Sequence, residues 1–168
     1  MVRHVLTMDD LSSDEVREVL SLSADLKCKF NAGIREALFP RRVMAMLFQK
    51  PSLRTRVSFE TGIRHLGGAS LFLGEDVGWG NRESIEDFAG VLSRYVDLIV
   101  VRAKLHDSVV QLAEHSQCPV INGLTDLSHP CQALADLLTV QESFGTLEGL
   151  KIAFVGDANN VSRSLGFT

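Results

Sequence analysis

The sequence predicts an α/β fold in which an open, mainly parallel sheet carries helices on both faces. Apolar segments of strand length alternate along the chain with segments of helical spacing. The strand segments are apolar throughout, as is typical of strands that are covered on both sides. With 168 residues, the chain is long enough to bury one full core. Strands and helices that alternate in this way favour a parallel sheet.

The chain is predicted to begin with a helix and a buried strand. The helix lies within 6–30, because Ser12 or Ser13 can cap it ahead of Glu15 and the apolar residues that follow recur at helical spacing. The run "VMAMLFQ" (43–49) is continuously apolar and has the length of a strand. We therefore expect one helix before the first strand of the sheet.

The next predicted helix follows that strand directly. Pro51 ends the strand and admits a helix. The segment "RTRVSFETGIRHLGG" (54–68) has helical spacing, and Gly67 and Gly68 provide its stop. The short apolar segment "ASLFLG" (69–74) then predicts a second strand.

The rest of the chain repeats the same alternation after a polar, glycine-rich loop. The predicted elements are the loop 74–83, the helix 84–96, the strand 97–103, the helix 106–116, the strand 118–123, the helix 129–145 and the strand 150–156. In open parallel sheets, ligands bind outside the carboxyl ends of the strands. Functional residues are therefore expected where these strands end.

The composition argues against several classes of function. A formal charge of −4 and a pI near 5.7 are not typical of a nucleic-acid-binding surface, which normally has a basic excess. Cys28, Cys118 and Cys131 lack the spacing of a disulfide framework or a zinc site, which favours a reducing, cytoplasmic setting. The N-terminus lacks the apolar segment of a signal peptide, and no apolar run approaches a membrane span. We therefore expect a protein that is neither exported nor membrane-inserted.

Basic and polar residues follow three of the predicted strands. They are Ser52, Arg54 and Thr55 after the first strand, Arg102 at the end of the third, and His129 with Gln132 after the fourth. Guanidinium groups, hydroxyls, a helix N-terminus and an imidazole together suit a phosphate and a carbonyl oxygen that gains charge. The sequence therefore predicts a site for a small oxyanion.

Each of these residues also has a structural interpretation. Basic residues at a helix start are usually exposed, but their charge has the wrong sign for the helix dipole, so a cluster there indicates an anion. His129 precedes Pro130, and a lone histidine is more often a flanking residue than a functional one. Arg102 is the strongest candidate, because a charge at the end of an apolar strand rarely stays unpaired. Cys131 is predicted to pack, since no base has an identifiable spacing to it.

Three segments carry a resemblance to a known family. "FQKPSLRTRVSFE" (48–60) resembles the S-T-R-T-R phosphate loop of carbamoyltransferases, and "NGLTDLSHPCQALADLLTVQE" (122–142) resembles their H-P-x-Q segment. "ESIEDFAGVLSRYVDLIVVR" (83–102) lies between them in the expected order, so the resemblance spans essentially the whole chain. H-P-C-Q and "FVGDANNVSRSL" (154–165) favour the ornithine enzymes over the aspartate enzymes.

The resemblance implies a site for the phosphate of carbamoyl phosphate. Ser52, the backbone of Leu53, Arg54 and Thr55 would bind the phosphate. Arg102 would provide a further contact to the phosphate or to the carbonyl side.

The resemblance also implies the roles around the reacting carbon. Arg54, Thr55 and His129 would polarise the carbamoyl oxygen, and Gln132 would hold the carbamoyl amide. Asn160 would contact the amino-acid end of ornithine, whose δ-amine attacks the carbamoyl carbon to give citrulline and phosphate. No metal or organic cofactor is expected, and no dedicated base is identified.

The chain departs from the family pattern at three places. Leu53 replaces the usual threonine or methionine, which is tolerable if only its backbone N–H is used. Gly78 stands where ornithine enzymes commonly carry a glutamine that reaches the phosphate, and Arg82 is a candidate substitute across a subunit interface. Trp79 either alters the substrate pocket or only packs, so an acetylated or succinylated ornithine stays open as the acceptor.

Family members are about twice as long as this chain. The resemblance divides it into a carbamoyl-phosphate-binding domain (1–147) and the truncated start of an ornithine-binding domain (148–168). We expect a fragment that binds carbamoyl phosphate without turnover, within a family that forms homotrimers with active sites between subunits. The alternatives are a carbamoyltransferase for another acceptor and a non-catalytic phosphate-binding remnant.

Overall fold

The computed structural model describes residues 2–166 and contains a four-stranded sheet in which every pair is parallel. The strands are β1 (Val43–Phe48), β2 (Ala69–Leu73), β3 (Leu98–Arg102) and β4 (Val120–Leu124), and their order across the sheet is β2-β1-β3-β4. The carboxyl ends of all four strands therefore lie along one edge of the sheet. The predicted fold class and four of the predicted strands are confirmed.

Within residues 2–166, six α-helices and two short 3₁₀ helices connect and cover the strands. The α-helices are α1 (Ser13–Asn31), α2 (Leu53–His65), α3 (Ile85–Leu92), α4 (His106–His115), α5 (Pro130–Phe144) and α6 (Asn160–Leu165), and the 3₁₀ helices are Met8–Asp10 and Glu75–Val77. Ser12, one of the two predicted caps, begins α1 in a reciprocal capping box with Glu15. Of the helices within residues 2–166, none has both the length and the apolar composition that a membrane span requires.

The two faces of the sheet are covered by different helices. Ala45 and Leu47 of β1 belong to a buried cluster that includes residues of α3 and α4. Met44 and Met46, one position out of phase, pack with residues of α2 in a second cluster. Alternate residues of β1 thus face opposite helical layers, which explains why the strand is apolar at every position.

The N-terminal segment covers the edge of the sheet beside β4. Val5 N donates to Val120 O at 2.9 Å, and Asn122 N donates to Val5 O at 2.8 Å. These bonds form a single parallel bridge between Val5 and Ile121. The edge backbone of β4 is therefore paired locally, which the sequence pattern did not predict.

The predicted strand over 150–156 is wrong. Residues 151–155 have no strand structure, and the side chain of Val155 is 96% exposed. A strand is stable only beside a hydrogen-bonded neighbour, and within residues 2–166 this segment has joined no sheet. The predicted helix over 84–96 is also shorter in the structure, because it ends at Leu92 and turns follow.

Candidate functional site

A cavity of about 620 Å³ lies at the carboxyl ends of β1, β3 and β4. It is lined by Pro51, Ser52, Leu53, Arg54, Thr55, Ser58, Phe59, Arg102, Leu124, His129, Cys131, Gln132 and Ala135. Of the predicted phosphate and carbamoyl residues, Arg82 is therefore not among the cavity-lining residues, whereas the cavity contains Ser52, Leu53, Arg54, Thr55, Arg102, His129 and Gln132. Ser58 and Phe59 were not predicted, although they lie four positions after Arg54 and Thr55 on the same helix and so share their face.

The N-terminus of α2 forms one wall of the cavity. Ser52 caps the helix, and its Oγ accepts a hydrogen bond from Thr55 N at 3.3 Å. The first N–H groups of an α-helix have no partner within the helix, so they can donate to an anion. Leu53 is 80% exposed, and as the first residue of α2 it has a backbone N–H without a partner within the helix.

The two arginines of the first turn have separate environments. Arg54 lines the cavity. The guanidinium of Arg56 lies over the ring of Phe72 at 3.7 Å, and its Nε is 3.4 Å from Glu60 Oε2. Arg56 is therefore a structural residue, whereas Arg54 contributes its charge to the cavity.

Arg102 is the most constrained cation of the site. Its Nη1 donates to Thr55 Oγ1 at 3.1 Å, while its buried Nε has no partner among residues 2–166. Burial lowers the pKa of Arg102, and the nearby charge of Arg54 lowers it further. Two arginines that repel each other in a partly buried cavity favour a bound anion between them.

His129 is neutral in this environment. It lies at the N-cap position of α5, and its pKa is lowered to about 4, first by burial and then by the positive charge of Arg102. Asp136 acts in the opposite direction but does not overcome these effects. A neutral imidazole has one N–H, which suits it to donate a hydrogen bond to an oxygen without adding another charge.

Gln132 and Cys131 face the cavity with different roles. Gln132 is exposed, and its Nε2 donates to Asp136 Oδ1 at 2.8 Å. Burial raises the pKa of the Cys131 thiol to about 12, and its Sγ donates to Asn122 O at 3.4 Å. Cys131 therefore remains a thiol at neutral pH and is unsuited to act as a nucleophile.

The loop and C-terminal candidates lie outside the group of cavity-lining residues. Arg82 is exposed, and Gly78 has φ +71° at the end of the short 3₁₀ helix. Trp79 is only 4% exposed and belongs to the core cluster of α3 and α4, but its buried Nε1 has no partner among residues 2–166 and it lines a separate cavity beside Gln49 and Lys104. The Nδ2 of Asn160 donates to Thr125 O at 2.6 Å.

No metal centre accompanies the cavity in the described part of the chain. Between residues 2 and 166, no three His, Cys, Asp or Glu side chains are grouped so that they could hold an ion. The charged groups that line the cavity are Arg54 and Arg102. The fold and the site together define an α/β domain with a basic cavity at the carboxyl ends of its parallel strands.

A known protein family matches most of this chain. Residues 3–142 match the model of the "Aspartate/ornithine carbamoyltransferase, carbamoyl-P binding domain". The chain belongs to the aspartate/ornithine carbamoyltransferase family, and it corresponds to the N-terminal half of its members.

Individual relatives agree with this assignment. The ornithine carbamoyltransferase of Symbiobacterium thermophilum is 52% identical over 164 residues, which are 97% of this chain and 53% of the relative. The ornithine carbamoyltransferase of Bacillus subtilis is 47% identical over 164 residues, which are 97% of this chain and 50% of the relative. The structure of ornithine carbamoyltransferase from Pyrococcus furiosus has a TM-score of 0.96 at 46% identity, over 98% of this chain and 53% of that one. The chain thus spans about half the length of the relatives that it matches.

Proposed function

We propose that this chain is the carbamoyl-phosphate-binding half of an ornithine carbamoyltransferase. The observation that carries the proposal is the meeting of Arg54, Thr55, Arg102 and His129 in one cavity, although they follow three different strands. We also propose that 1–147 is the carbamoyl-phosphate domain and that 148–168 begin the ornithine-binding domain.

The phosphate of carbamoyl phosphate would lie between the N-terminus of α2 and the two arginines. Ser52 Oγ and the first N–H groups of α2 would donate to it, and Arg54 and Arg102 would balance its charge. As the C–O bond to phosphate breaks, the leaving group gains negative charge, and these donors bind it more strongly.

The carbamoyl group would lie toward α5. Thr55 and the neutral imidazole of His129 would donate to the carbonyl oxygen, and Gln132 would hold the amide. The δ-amine of ornithine would attack the carbamoyl carbon and form a tetrahedral intermediate, which releases phosphate and leaves citrulline after the amine loses a proton. Each preorganised donor to the carbonyl oxygen would lower the barrier by about 3 kcal/mol.

The acceptor side and the assembly are further parts of the proposal. Ornithine is the acceptor named for the relatives, and Asn160 is the residue proposed to contact its amino-acid end. The enzyme would act in the cytoplasm, in arginine biosynthesis, as a homotrimer in which Arg82 reaches the phosphate of a neighbouring subunit. Acetylornithine is the alternative acceptor, and phosphate binding without catalysis is the alternative function.

Calorimetric titration with freshly dissolved carbamoyl phosphate tests the donor site. We expect saturable binding that inorganic phosphate competes with, and Arg54→Ala should weaken it at least about tenfold. Arg56→Ala is the matched control, because it removes the same charge two residues further along α2. The side chain of Arg56 contacts Phe72 and Glu60. Equal losses in both variants would mean that binding follows net charge alone, and the assigned cavity would be wrong.

A citrulline assay with ornithine tests the transfer step. Because the chain spans about half of its relatives, we expect carbamoyl phosphate binding without measurable citrulline from residues 1–168 alone. Supplying the remaining half of a relative as a separate protein should restore transfer to ornithine. Transfer to acetylornithine in its place would identify the alternative acceptor, and no transfer to either would favour the phosphate-binding remnant.

A further inference from the structure

The hydroxyl of Ser164 links α6 to the loop that carries His129. Ser164 is only 1% exposed. Its Oγ donates to Asn160 O at 2.8 Å and accepts from His129 N at 2.9 Å. The Oγ of Ser128 lies 3.1 Å away. A hydroxyl has one hydrogen and two lone pairs, so Ser128 must be the donor of this third bond, and Ser164 is then fully satisfied.

This contact binds the backbone N–H of the N-cap residue of α5. His129 occupies the N-cap position but caps none of the helix N–H groups with its own side chain. Its backbone N–H is instead bound by a serine 35 positions further along the chain. The position of His129 at the start of α5 therefore depends on α6 as well as on local sequence.

The other side of the same loop is fixed by the sheet. Asn122 in the middle of β4 is fully buried, and its Nδ2 donates to Ser128 O at 3.2 Å. Ser128 N donates to Thr125 Oγ1 at 3.2 Å. Asn160 Nδ2 adds a bond from α6 to Thr125 O. The residue before His129 is thus held between β4 and α6, and its backbone has little freedom.

We propose that Ser164 is a positioning residue for His129, so that docking of α6 places the imidazole in the cavity. Through this contact, a segment outside the residues matched by the family model would control a group of the anion site. Its effect on ligand binding rests on the function proposed above, whereas its effect on His129 itself does not. A purely structural role for Ser164 would instead anchor α6 without changing His129.

Ser164→Ala distinguishes the two roles, with Arg163→Ala as the control on an exposed neighbour in α6. If Ser164 positions His129, Ser164→Ala should raise the imidazole pKa from about 4 toward its ordinary value, as measured by NMR titration. The affinity for carbamoyl phosphate should fall about five- to tenfold, while that for inorganic phosphate changes less than about twofold. Ser164→Thr, which keeps the hydroxyl, should restore both properties.

An unchanged imidazole pKa in folded Ser164→Ala would overturn the proposal, as would equal losses of affinity for the two ligands. If the variant does not fold, hydrogen exchange in the unmodified chain decides the question. The His129 amide should then exchange together with the amides of α6, and an unprotected His129 amide would contradict the proposed bond. If the unmodified chain binds neither ligand, the proposed function fails, but the NMR and exchange results still decide the role of Ser164.

Discussion

Arg102 Nη1 donates to Thr55 Oγ1 over 3.1 Å, although the two residues are 47 positions apart in the chain. The bond joins the carboxyl end of β3 to the first turn of α2, across the cavity that both residues line. It orients a guanidinium whose Nε has no partner in the described structure. Arg102 is thus held in place by one bond while the remainder of its donor capacity is available to an anion.

Arg102→Met should therefore separate binding from stability. Removing a charge-assisted contact should weaken carbamoyl phosphate binding by about thirtyfold, or about 2 kcal/mol. The free energy of unfolding should change by less than about 1 kcal/mol, because the variant also removes a partly buried charge with an unpaired Nε. Calorimetry and urea unfolding measure the two quantities.

Arg94→Met is the charge-matched control, since Arg94 is exposed outside the cavity. It should leave both affinity and stability nearly unchanged. A large loss of stability in Arg102→Met with intact binding would mean that Arg102 serves the fold and not the anion.

The two serine caps of α2 and α3 provide a second test. Ser52 Oγ accepts from Thr55 N at 3.3 Å, and Ser84 Oγ accepts from Asp87 N at 3.1 Å. Replacing either serine by alanine should lower the free energy of unfolding by about 1 kcal/mol, as measured by urea unfolding. Only Ser52→Ala should also weaken carbamoyl phosphate binding, because Ser84 lies outside the cavity. If both variants bind equally well, the Ser52 hydroxyl is a cap and nothing more.

The fold and the membership of the site follow from features that are visible in the sequence. Continuous apolar segments identified β1, β3 and β4 as buried strands of a parallel sheet. The edge strand β2 is equally apolar but is mostly exposed, so for this strand the expected cover on both faces is wrong. Because parallel strands end at one edge, Ser52, Arg102 and His129 can be placed together without knowledge of their contacts. A local pattern and a rule of topology were sufficient for the fold class and for the proximity of these residues, whereas their roles stay predictions.

Contacts that depend on how a helix is rotated and packed could not be predicted from the sequence. The sequence assigned Arg54 to the phosphate and gave Arg56 no role, and only the orientation of α2 shows that Arg56 stacks on Phe72. The bond between Ser164 and His129 joins residues 35 positions apart with no periodicity to indicate it. The strand predicted over 150–156 failed for a related reason, since a strand pattern does not reveal whether a partner is present.

Gly78 should resist substitution for reasons of backbone geometry. It has φ +71°, and a Cβ there would meet the Cβ of Arg82 at 3.0 Å. Gly78→Ala should lower the free energy of unfolding by about 1 to 2 kcal/mol in urea unfolding. Gly90→Ala is the control within α3, because a Cβ at this position meets nothing within 4 Å. This substitution should raise the free energy of unfolding by about 0.5 to 1 kcal/mol. A stabilising Gly78→Ala would show that the loop adopts another conformation.

His129 should make stability depend on pH. Burial and the charge of Arg102 lower its pKa to about 4 in the folded chain, whereas the unfolded chain binds the proton near pH 6.5. Between these values the unfolded state binds more protons, so the free energy of unfolding falls as the pH decreases. The contribution is complete above about pH 6.5 and is lost as the pH falls toward about 4. Because this ring is partly exposed and its interactions are screened by solvent, lowering the pH from 7.5 to 5 should remove roughly 1 kcal/mol of it. Urea unfolding at the two pH values measures this loss. In His129→Asn the loss of unfolding free energy between the two pH values should be smaller by the contribution of His129.

The difference in pH dependence between the unmodified chain and His129→Asn isolates the contribution of His129 to the free energy of unfolding. Burial also lowers the pKa of His4 and of His106, but both residues are present in each protein, and their contributions cancel. If His129→Asn shows the same pH dependence as the unmodified chain, the imidazole titrates near its ordinary value and is more hydrated than its burial indicates. Saturating inorganic phosphate should shrink the difference, because a bound anion offsets the charge of Arg102, which adds to the larger effect of burial in keeping the imidazole neutral. That response would link the titration of His129 directly to occupation of the cavity.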